Sequence, residues 1–501
     1  MTPPAHTDFP GLGCLLQDRE RPFARFIRQG EYSEARLSNL ADRIAKLLLD
    51  RKLTGRPVVI LSDLGPMNLA FLFGCFRAGA LACPLDVKMP KLHCQELLES
   101  YRADLVLTDR RGVSFEPPWK GEVLHCDSSS LQAVAPIGRY PRLAAADRAI
   151  CVHSSGSTGL PKGIVLSHGS LRIKVDHYLE VLGLGSSDRG YCVLPMSHIN
   201  GLVTTLLTPL VSGGTMVYAD LPFEPRATLR HLLENGCTWF SGVPVHYRGF
   251  LSIAEPSPAL SNMRFFRSAA APLSRQVNIE FERRFGVPLI ESMGISEAAS
   301  QVFSNLLPPH PRVPGSVGKP IGVIVRIAGG SDESLGPNEV GEIQVQGPAL
   351  MEGYLNDPES TDKAFTPDGW LKTGDLGSYD DDGYYTIKGR IKDIAIFCGI
   401  NISLVDLRQR LESQSLADDV TVGSESDDYF GERVVIYAVP TLKGQPVEDR
   451  HELRRALAAS LLNALPHAKS LKAVRLVAEI PRSGSGKVLS GRLSALADTG
   501  S

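Results

Sequence analysis

The chain carries little net charge: 53 Lys and Arg stand against 55 Asp and Glu among 501 residues, leaving a formal charge of −2. Bulk electrostatic attraction to nucleic acid or anionic membrane is therefore excluded as the default explanation of function. A basic stripe or recognition motif for DNA or RNA is missing too. Long apolar runs are also scarce. Stretches such as Leu69 to Leu85 are broken by Gly74, Arg77, Gly79 and Pro84, which argues against a membrane span. The nine cysteines are odd in number and contain no Cys-x-x-Cys pair, so reduced, packed thiols are expected. Met1 to Pro10 holds Asp8 and three prolines instead of a basic start followed by an apolar segment. No secretory signal is expected there, and a cytoplasmic location is. Neither an internal repeat nor a low-complexity tract occurs. What remains, at 43% hydrophobic and 22% charged residues, is an ordinary globular composition.

Leu37, Leu40, Ile44, Leu47 and Leu48 recur at helical spacing, which predicts an amphipathic helix over 36–50. Val58 to Leu61 and Leu105 to Leu107 are short apolar runs suited to buried strands, with a helix over Met67 to Arg77 between them. This alternation, continuing to about residue 325, predicts an α/β body with largely parallel sheets. From Gly341 the texture changes. Ile343 and Val345 alternate with Glu342, Gln344 and Gln346, as in a half-exposed strand, and Asp382-Gly383 before Tyr384 to Ile387 predicts a hairpin. Strands at Val434 to Val439 and Val474 to Val477, with helices at Leu404 to Leu411 and His451 to Leu465, suffice for a small α+β domain. The expected division is residues 1–390 and 391–501, with the boundary between Arg390 and Lys392. Asp380-Asp381-Asp382-Gly383 reads as a solvated turn, because calcium-loop spacing would put Gly389 where a bidentate Glu belongs.

The densest chemical signal is His153-Ser154-Ser155-Gly156-Ser157-Thr158-Gly159-Leu160-Pro161-Lys162-Gly163. Its glycines permit close backbone approach, its hydroxyls add donors and Lys162 adds charge, a combination suited to a polyphosphate. It is not a Walker A loop, since Lys162-Gly163 runs into the strand-like Ile164-Val165-Leu166 instead of opening a helix. A lone loop of this kind is most often a flexible surface segment; its density and its apolar flanks argue against that here.

Together with this segment, a series of ordered motifs resembles the adenylate-forming superfamily of acyl- and aryl-CoA synthetases, adenylation domains and firefly luciferase. The series comprises Gly79-Ala80 to Pro84-Leu85-Asp86, Leu194-Pro195-Met196-Ser197-His198, Ser268 to Leu273, Met293-Gly294-Ile295-Ser296-Glu297, Gly341-Glu342-Ile343, Thr373-Gly374-Asp375, Gly389-Arg390-Ile391-Lys392-Asp393 and Pro481 to Lys487. The resemblance extends over nearly the whole chain. It implies a large adenylation body and a small mobile C-terminal domain. It also implies ATP and Mg²⁺ as cofactors and activation of an acid to an acyl-adenylate before a thiol displaces AMP.

Residue by residue, the resemblance implies that Ser154, Ser155, Gly156, Ser157, Thr158, Gly159 and Lys162 hold the departing phosphates. Lys487 is the implied catalytic lysine, Glu297 the Mg²⁺-linked carboxylate, and Ser296 a hydroxyl for the α-phosphate. Ala270, Ala271, Ser292, Met293, Gly294 and Ile387 belong to the implied nucleotide wall. Asp375 would accept from both ribose hydroxyls, with Arg390 a further ribose or phosphate contact. Lys392 is the implied hinge. Met293 stands where the family usually has Tyr; its polarisable sulfur can still cover a purine face.

His198-Ile199-Asn200-Gly201-Leu202 lacks the acid that amino-acid-activating relatives use for the substrate ammonium, and resembles the corresponding segment of ligases for short acids such as oxalate and malonate. The expected acyl pocket is His198, Asn200, Gly201, Ser241, His246, Ser268, Ala269 and Ile295, with His198 also a catalytic candidate. For His198 and His246, packed histidines satisfied in a loop or core are an equally good reading. The expected substrate is a small carboxylic acid, and the acceptor CoA or the phosphopantetheine of a carrier protein. Use of the adenylate by another nucleophile, activation of a different oxyanion and a catalytically dead nucleotide-binding module are the remaining alternatives. A monomer or homodimer is expected.

Overall fold

The computed structural model describes residues 11–137, 139–153, 162–253, 260–398, 400–442, 444–462, 464–465, 468–482 and 488–499. The predicted N-terminal helix forms over Glu34–Asp50, opened by Ser33, whose hydroxyl accepts from the Arg36 N–H. Its apolar face packs on the helix Pro66–Ala78, all thirteen residues of which are buried. A helix apolar on every side belongs in the interior. Gly74 is required at the crossing: a Cβ there would lie 2.4 Å from Ile44 Cγ2.

Two large sheets carry the body. In the seven-stranded sheet, Arg148–His153, Leu81–Pro84, Pro57–Ile60, Leu105–Thr108 and Glu122–His125 run parallel, while Gly163–Ser167 pairs antiparallel with Arg148–His153. In the nine-stranded sheet, Leu289–Ile295, Phe265–Ser268, Trp239–Gly242, Arg189–Cys192, Thr215–Tyr218 and Pro22–Phe26 are mutually parallel neighbours. The central parallel strands Pro57–Ile60, Leu81–Pro84 and Leu105–Thr108 are buried along nearly their whole length, as the short runs predicted, whereas the edge strand Glu122–His125 is not. Antiparallel pairing is not confined to the region after residue 325: besides Gly163–Ser167, Gly30–Ser33 pairs antiparallel with Pro22–Phe26. Ser300–Ser304 already runs back along Leu289–Ile295, because the chain reverses through the short turn Ser296–Ala298, too short for a crossover helix.

A four-stranded antiparallel sheet follows, in the order Ile324–Ala328, Gly341–Gln346, Leu371–Tyr379, Tyr385–Arg390. The hairpin at Asp382-Gly383 forms as expected, with Gly383 at φ +78° and Asp380 accepting from the Asp382 and Tyr384 N–H groups. Gln344 departs from the half-exposed pattern and is fully buried, because Arg326 donates to its oxygen and Asp332 accepts from its nitrogen.

Beyond Ile391, Ile400–Ser403, Ile394–Phe397, Gly431–Val439 and Asp419–Asp427 pair in that order, with Leu471–Leu476 parallel to Gly431–Val439. The helices there are Leu404–Gln414 and Arg450–Leu462; the second stops short of Leu465, which is buried beyond its end. The apolar clusters of this region contain only residues from Ala395 onward, whereas the main cluster ends at Tyr385 among its buried members. All nine cysteines are free thiols; seven are buried and Cys398 is exposed. Among the described residues no helix is long and apolar enough to cross a membrane.

Candidate active site

The expected site residues gather where the parallel strands end. Ser241 and Gly242 close one strand, Ser268 the next and Ile295 the third, side by side in the sheet. In open α/β sheets this carboxyl end is where ligands bind. Ala269 N–H donates to the Gly242 carbonyl at 3.1 Å and the Ser292 hydroxyl to the Ser268 carbonyl at 3.2 Å, which ties the three strand ends together. Ala270 and Ala271 follow on the exposed lip, Ala270 at φ +67°. Met293, Gly294, Ile295, Ser296 and Glu297 are all half-buried, forming a wall instead of a core. Gly294 can only be glycine: a Cβ would sit 2.0 Å from the Ser300 carbonyl oxygen.

Glu297 is met by the Tyr354 hydroxyl, which donates to its Oε1 at 3.3 Å. Burial pushes the Glu297 carboxyl above the usual range, against the lowering influence of Tyr354 and Arg390, and Asp375 raises it further. A carboxylate held at that cost is suited to a cation, which would offset the desolvation and the nearby negative charge. Tyr354, whose hydroxyl is kept protonated by burial and by Glu297, also lies under Lys162, with the ammonium 4.9 Å from the ring centre. Lys162 Nζ donates to the Ser360 hydroxyl at 2.7 Å. Glu297, the end of the phosphate-type loop and the Gly353–Tyr354 strand thus converge, although Tyr354 carries no sequence motif of its own.

Asp375 and Arg390 face each other across paired strands, with Arg390 Nε donating to Asp375 Oδ1 at 2.7 Å. Ile387 lies on the same strand as Arg390, half-buried. On the other flank, the His153 and His198 rings are 5.9 Å apart. Burial, with His198 beside it, holds the His153 imidazole down to about 4; burial also lowers His198, while Asp86 opposes it in both. Both rings are neutral at neutral pH. His198 precedes the helix Ile199–Leu202, and Gly201 lets that helix seat against the preceding turn: a Cβ would meet the Pro195 carbonyl oxygen at 2.3 Å.

The expected acyl pocket divides. His198 and Asn200 are half-buried and Ile295 lies on the wall, whereas Gly201, Ser241, Ser268 and Ala269 are buried behind them. His246 is engaged in a structural role, its Nδ1 accepting from the Val243 N–H at a helix start while its ring packs 4.3 Å from Phe223. Sequence reasoning did not single out Arg267, which lies at the centre. It donates to Asn200 Oδ1 and the Ser241 hydroxyl through one amino group, and to the Tyr178 hydroxyl and Gln301 Oε1 through the other, at 3.0–3.1 Å. The available signal was an arginine following Phe265-Phe266 in a strand otherwise apolar. Ser154 to Gly159 and Lys487 lie outside the described residues, as does the side chain of Lys392.

Comparison with known proteins gives the family. The AMP-binding enzyme pattern matches residues 17–355, more than half of the chain. The chain belongs to the AMP-binding enzyme family. Within that family it is 38% identical to the sulfoacetate–CoA ligase of Cupriavidus necator over 340 residues, 68% of this chain and 65% of that enzyme. It is 29% identical to the oxalate–CoA ligase of Arabidopsis thaliana over 481 residues, covering 91% of each. The AMP-binding fold is equally evident in the o-succinylbenzoate coenzyme A synthetase of Bacillus subtilis in complex with ATP and magnesium ion. That structure aligns at a TM-score of 0.82 and 25% identity over 95% of this chain and 97% of that one.

Proposed function

We propose that this protein is an AMP-forming acid–CoA ligase for a small carboxylic acid. A carboxylate oxygen attacks the α-phosphorus of ATP, the bond to the β-phosphate bridging oxygen breaks, and pyrophosphate leaves with the electron pair. The thiolate of CoA then attacks the acyl carbon to form the C–S bond, the C–O bond to the phosphate breaks, and AMP departs with its electron pair. The first step brings two anions together, so positioned positive charge and donors are its main requirement. The observation that carries the reading is the convergence of Glu297, Tyr354 and Lys162, with the Asp375–Arg390 pair acting on the Glu297 carboxyl.

In this reading Lys162 and the loop before it take the β- and γ-phosphates, Asp375 and Arg390 the ribose, and Ser296 the α-phosphate. Glu297 is the residue that would hold Mg²⁺, which when bound neutralises phosphate charge. Lys487 is the lysine of the adenylation step. Residues 391–501 form the moving domain and Lys392 its hinge, a division supported by the separate apolar clusters on either side. Free CoA as acceptor is supported by the relatives, which are named as CoA ligases. The small size of the acid is supported by the buried Arg267 guanidinium bonding to both Asn200 and Ser241, which ties these expected acyl-pocket residues together.

ATP–pyrophosphate exchange over a panel of carboxylic acids, followed by thioester formation with CoA, tests the assignment. Exchange with short acids and thioester formation with CoA are expected. Exchange confined to amino acids, or none with any acid, would overturn it.

A further inference from the structure

Glu297 and Lys162, the charged groups that the reading above gives to Mg²⁺ and to the departing phosphates, are joined by one neutral side chain. The Tyr354 hydroxyl donates to Glu297 Oε1 at 3.3 Å, and the Lys162 ammonium sits 4.9 Å from the centre of the same residue's ring. Lys162 Nζ also donates to the Ser360 hydroxyl at 2.7 Å, an exposed bond on the helix Pro358–Ala364.

The phenol is not needed to fasten these elements to one another, because main-chain bonds already do so. Met351 N–H donates to the Glu297 carbonyl at 2.7 Å, Glu352 N–H to the Val165 carbonyl at 2.9 Å and Leu355 N–H to the Gly163 carbonyl at 2.7 Å. Tyr354 N–H donates to the Thr361 hydroxyl at 2.9 Å. The half-buried side chain is left to act on its two charged neighbours, and its two ends act differently. A neutral O–H orients a carboxylate while leaving its charge intact, where a lysine or arginine would neutralise it and compete with a cation. The ring face attracts an ammonium without occupying an N–H direction, so Lys162 can exchange the Ser360 hydroxyl for a phosphate oxygen and keep the ring contact. Phenylalanine would supply only the second contact, and serine or threonine only the first.

We propose that Tyr354 is a positioning residue for adenylation, its hydroxyl setting the metal-linked carboxylate and its ring setting the phosphate lysine. The inference rests on the nucleotide assignments of the reading above. Because both contacts belong to one rigid phenol, the placement of the carboxylate relative to the ammonium is set before a nucleotide arrives.

The test is calorimetric titration of α,β-methylene-ATP, which binds without being cleaved, over a series of Mg²⁺ concentrations, alongside ATP–pyrophosphate exchange. Tyr354→Phe keeps the ring and loses the hydroxyl. The Mg²⁺ concentration for half-maximal binding of the analogue should rise about tenfold, the scale of a hydrogen bond to a charged group, with affinity at saturating Mg²⁺ within about twofold of the unsubstituted protein. Tyr354→Leu loses both contacts and should add a loss of about fivefold in affinity at saturating Mg²⁺. In a Glu297→Gln background, Tyr354→Phe should shift the Mg²⁺ midpoint by less than about twofold, a non-additivity that general loosening of the fold would not produce. A Phe variant with an unchanged Mg²⁺ requirement, or Phe and Leu variants identical in both titrations, would overturn the assignment. The Phe titrations decide the role of the hydroxyl even where Tyr354→Leu fails to fold. The expected pattern in a protein that exchanges with no acid would support the positioning role and overturn acid activation.

Discussion

Arg390 Nε lies 2.7 Å from Asp375 Oδ1, and the two residues stand opposite each other in neighbouring antiparallel strands. The carboxylate is almost fully buried while the guanidinium remains 40% exposed. The buried carboxylate is thus enclosed by the sheet, while its guanidinium partner faces solvent on one side.

Replacing Arg390 by Ala should raise the KM for ATP about tenfold, corresponding to ~1.4 kcal/mol, since solvent already screens part of the pair. Asp375→Ala, which removes the proposed ribose acceptor itself, should exceed that. Exchange assays at varied ATP read both effects. Unchanged ATP dependence in the two variants would remove them from the nucleotide site.

Glu297→Gln keeps the side-chain shape and the bond from Tyr354 but removes the negative charge. The Mg²⁺ concentration needed for half-maximal exchange should rise, and the maximal rate should fall by about a hundredfold or more. Magnesium titration of the exchange rate is the readout. Identical titration curves for both proteins would be incompatible with a metal at this carboxylate.

Stability should fall in mild acid. Burial holds His168, His246 and His153 down to about 4, against an ordinary value of 6.5. Between those values the unfolded chain binds protons that the folded chain refuses, so stability rises with pH across the window and is lost as pH drops. Each group contributes ~2 kcal/mol of destabilisation at pH 5 by this linkage. Glu291, pushed up to about 7 by burial, works in the opposite direction, because the folded state holds its proton more tightly. Three histidines outweigh one glutamate, and the thermal midpoint should drop clearly from pH 7 to pH 5. A midpoint that is flat or rising over that interval would contradict the buried neutral imidazoles.

Lys392→Pro, within the short turn Ile391–Asp393, fixes φ and removes a backbone donor. If this turn is the hinge, pyrophosphate exchange and thioester formation should respond unequally, with one half-reaction retained at least tenfold better than the other. Equal loss of both would make residue 392 an ordinary linker position.

Much of the local structure was legible in the sequence. Periodicity sufficed for Glu34–Asp50, and apolar runs for Pro57–Ile60 and Leu105–Thr108, because amphipathic spacing and double-sided burial leave direct traces in the chain. The motifs likewise picked out Glu297, Asp375 and Arg390 as candidates, and the structure pairs the last two. The antiparallel pairing within the body, at Gly163–Ser167 and Ser300–Ser304, and the burial of Gln344 were not legible. Both depend on which strand becomes a neighbour and which side chains cover it, and no local pattern encodes that.

The sequence by itself determined membership of the AMP-binding enzyme family, because its ordered motifs are written in contiguous residues. Only the tertiary structure decided that Lys174, Asn200, Ser241, Arg267 and Gln301 meet. They come from five separate segments, and their chemistry is a product of burial. An arginine or lysine exposed to water is an ordinary surface charge; the same groups enclosed with only neutral acceptors carry a large desolvation cost that only burial creates.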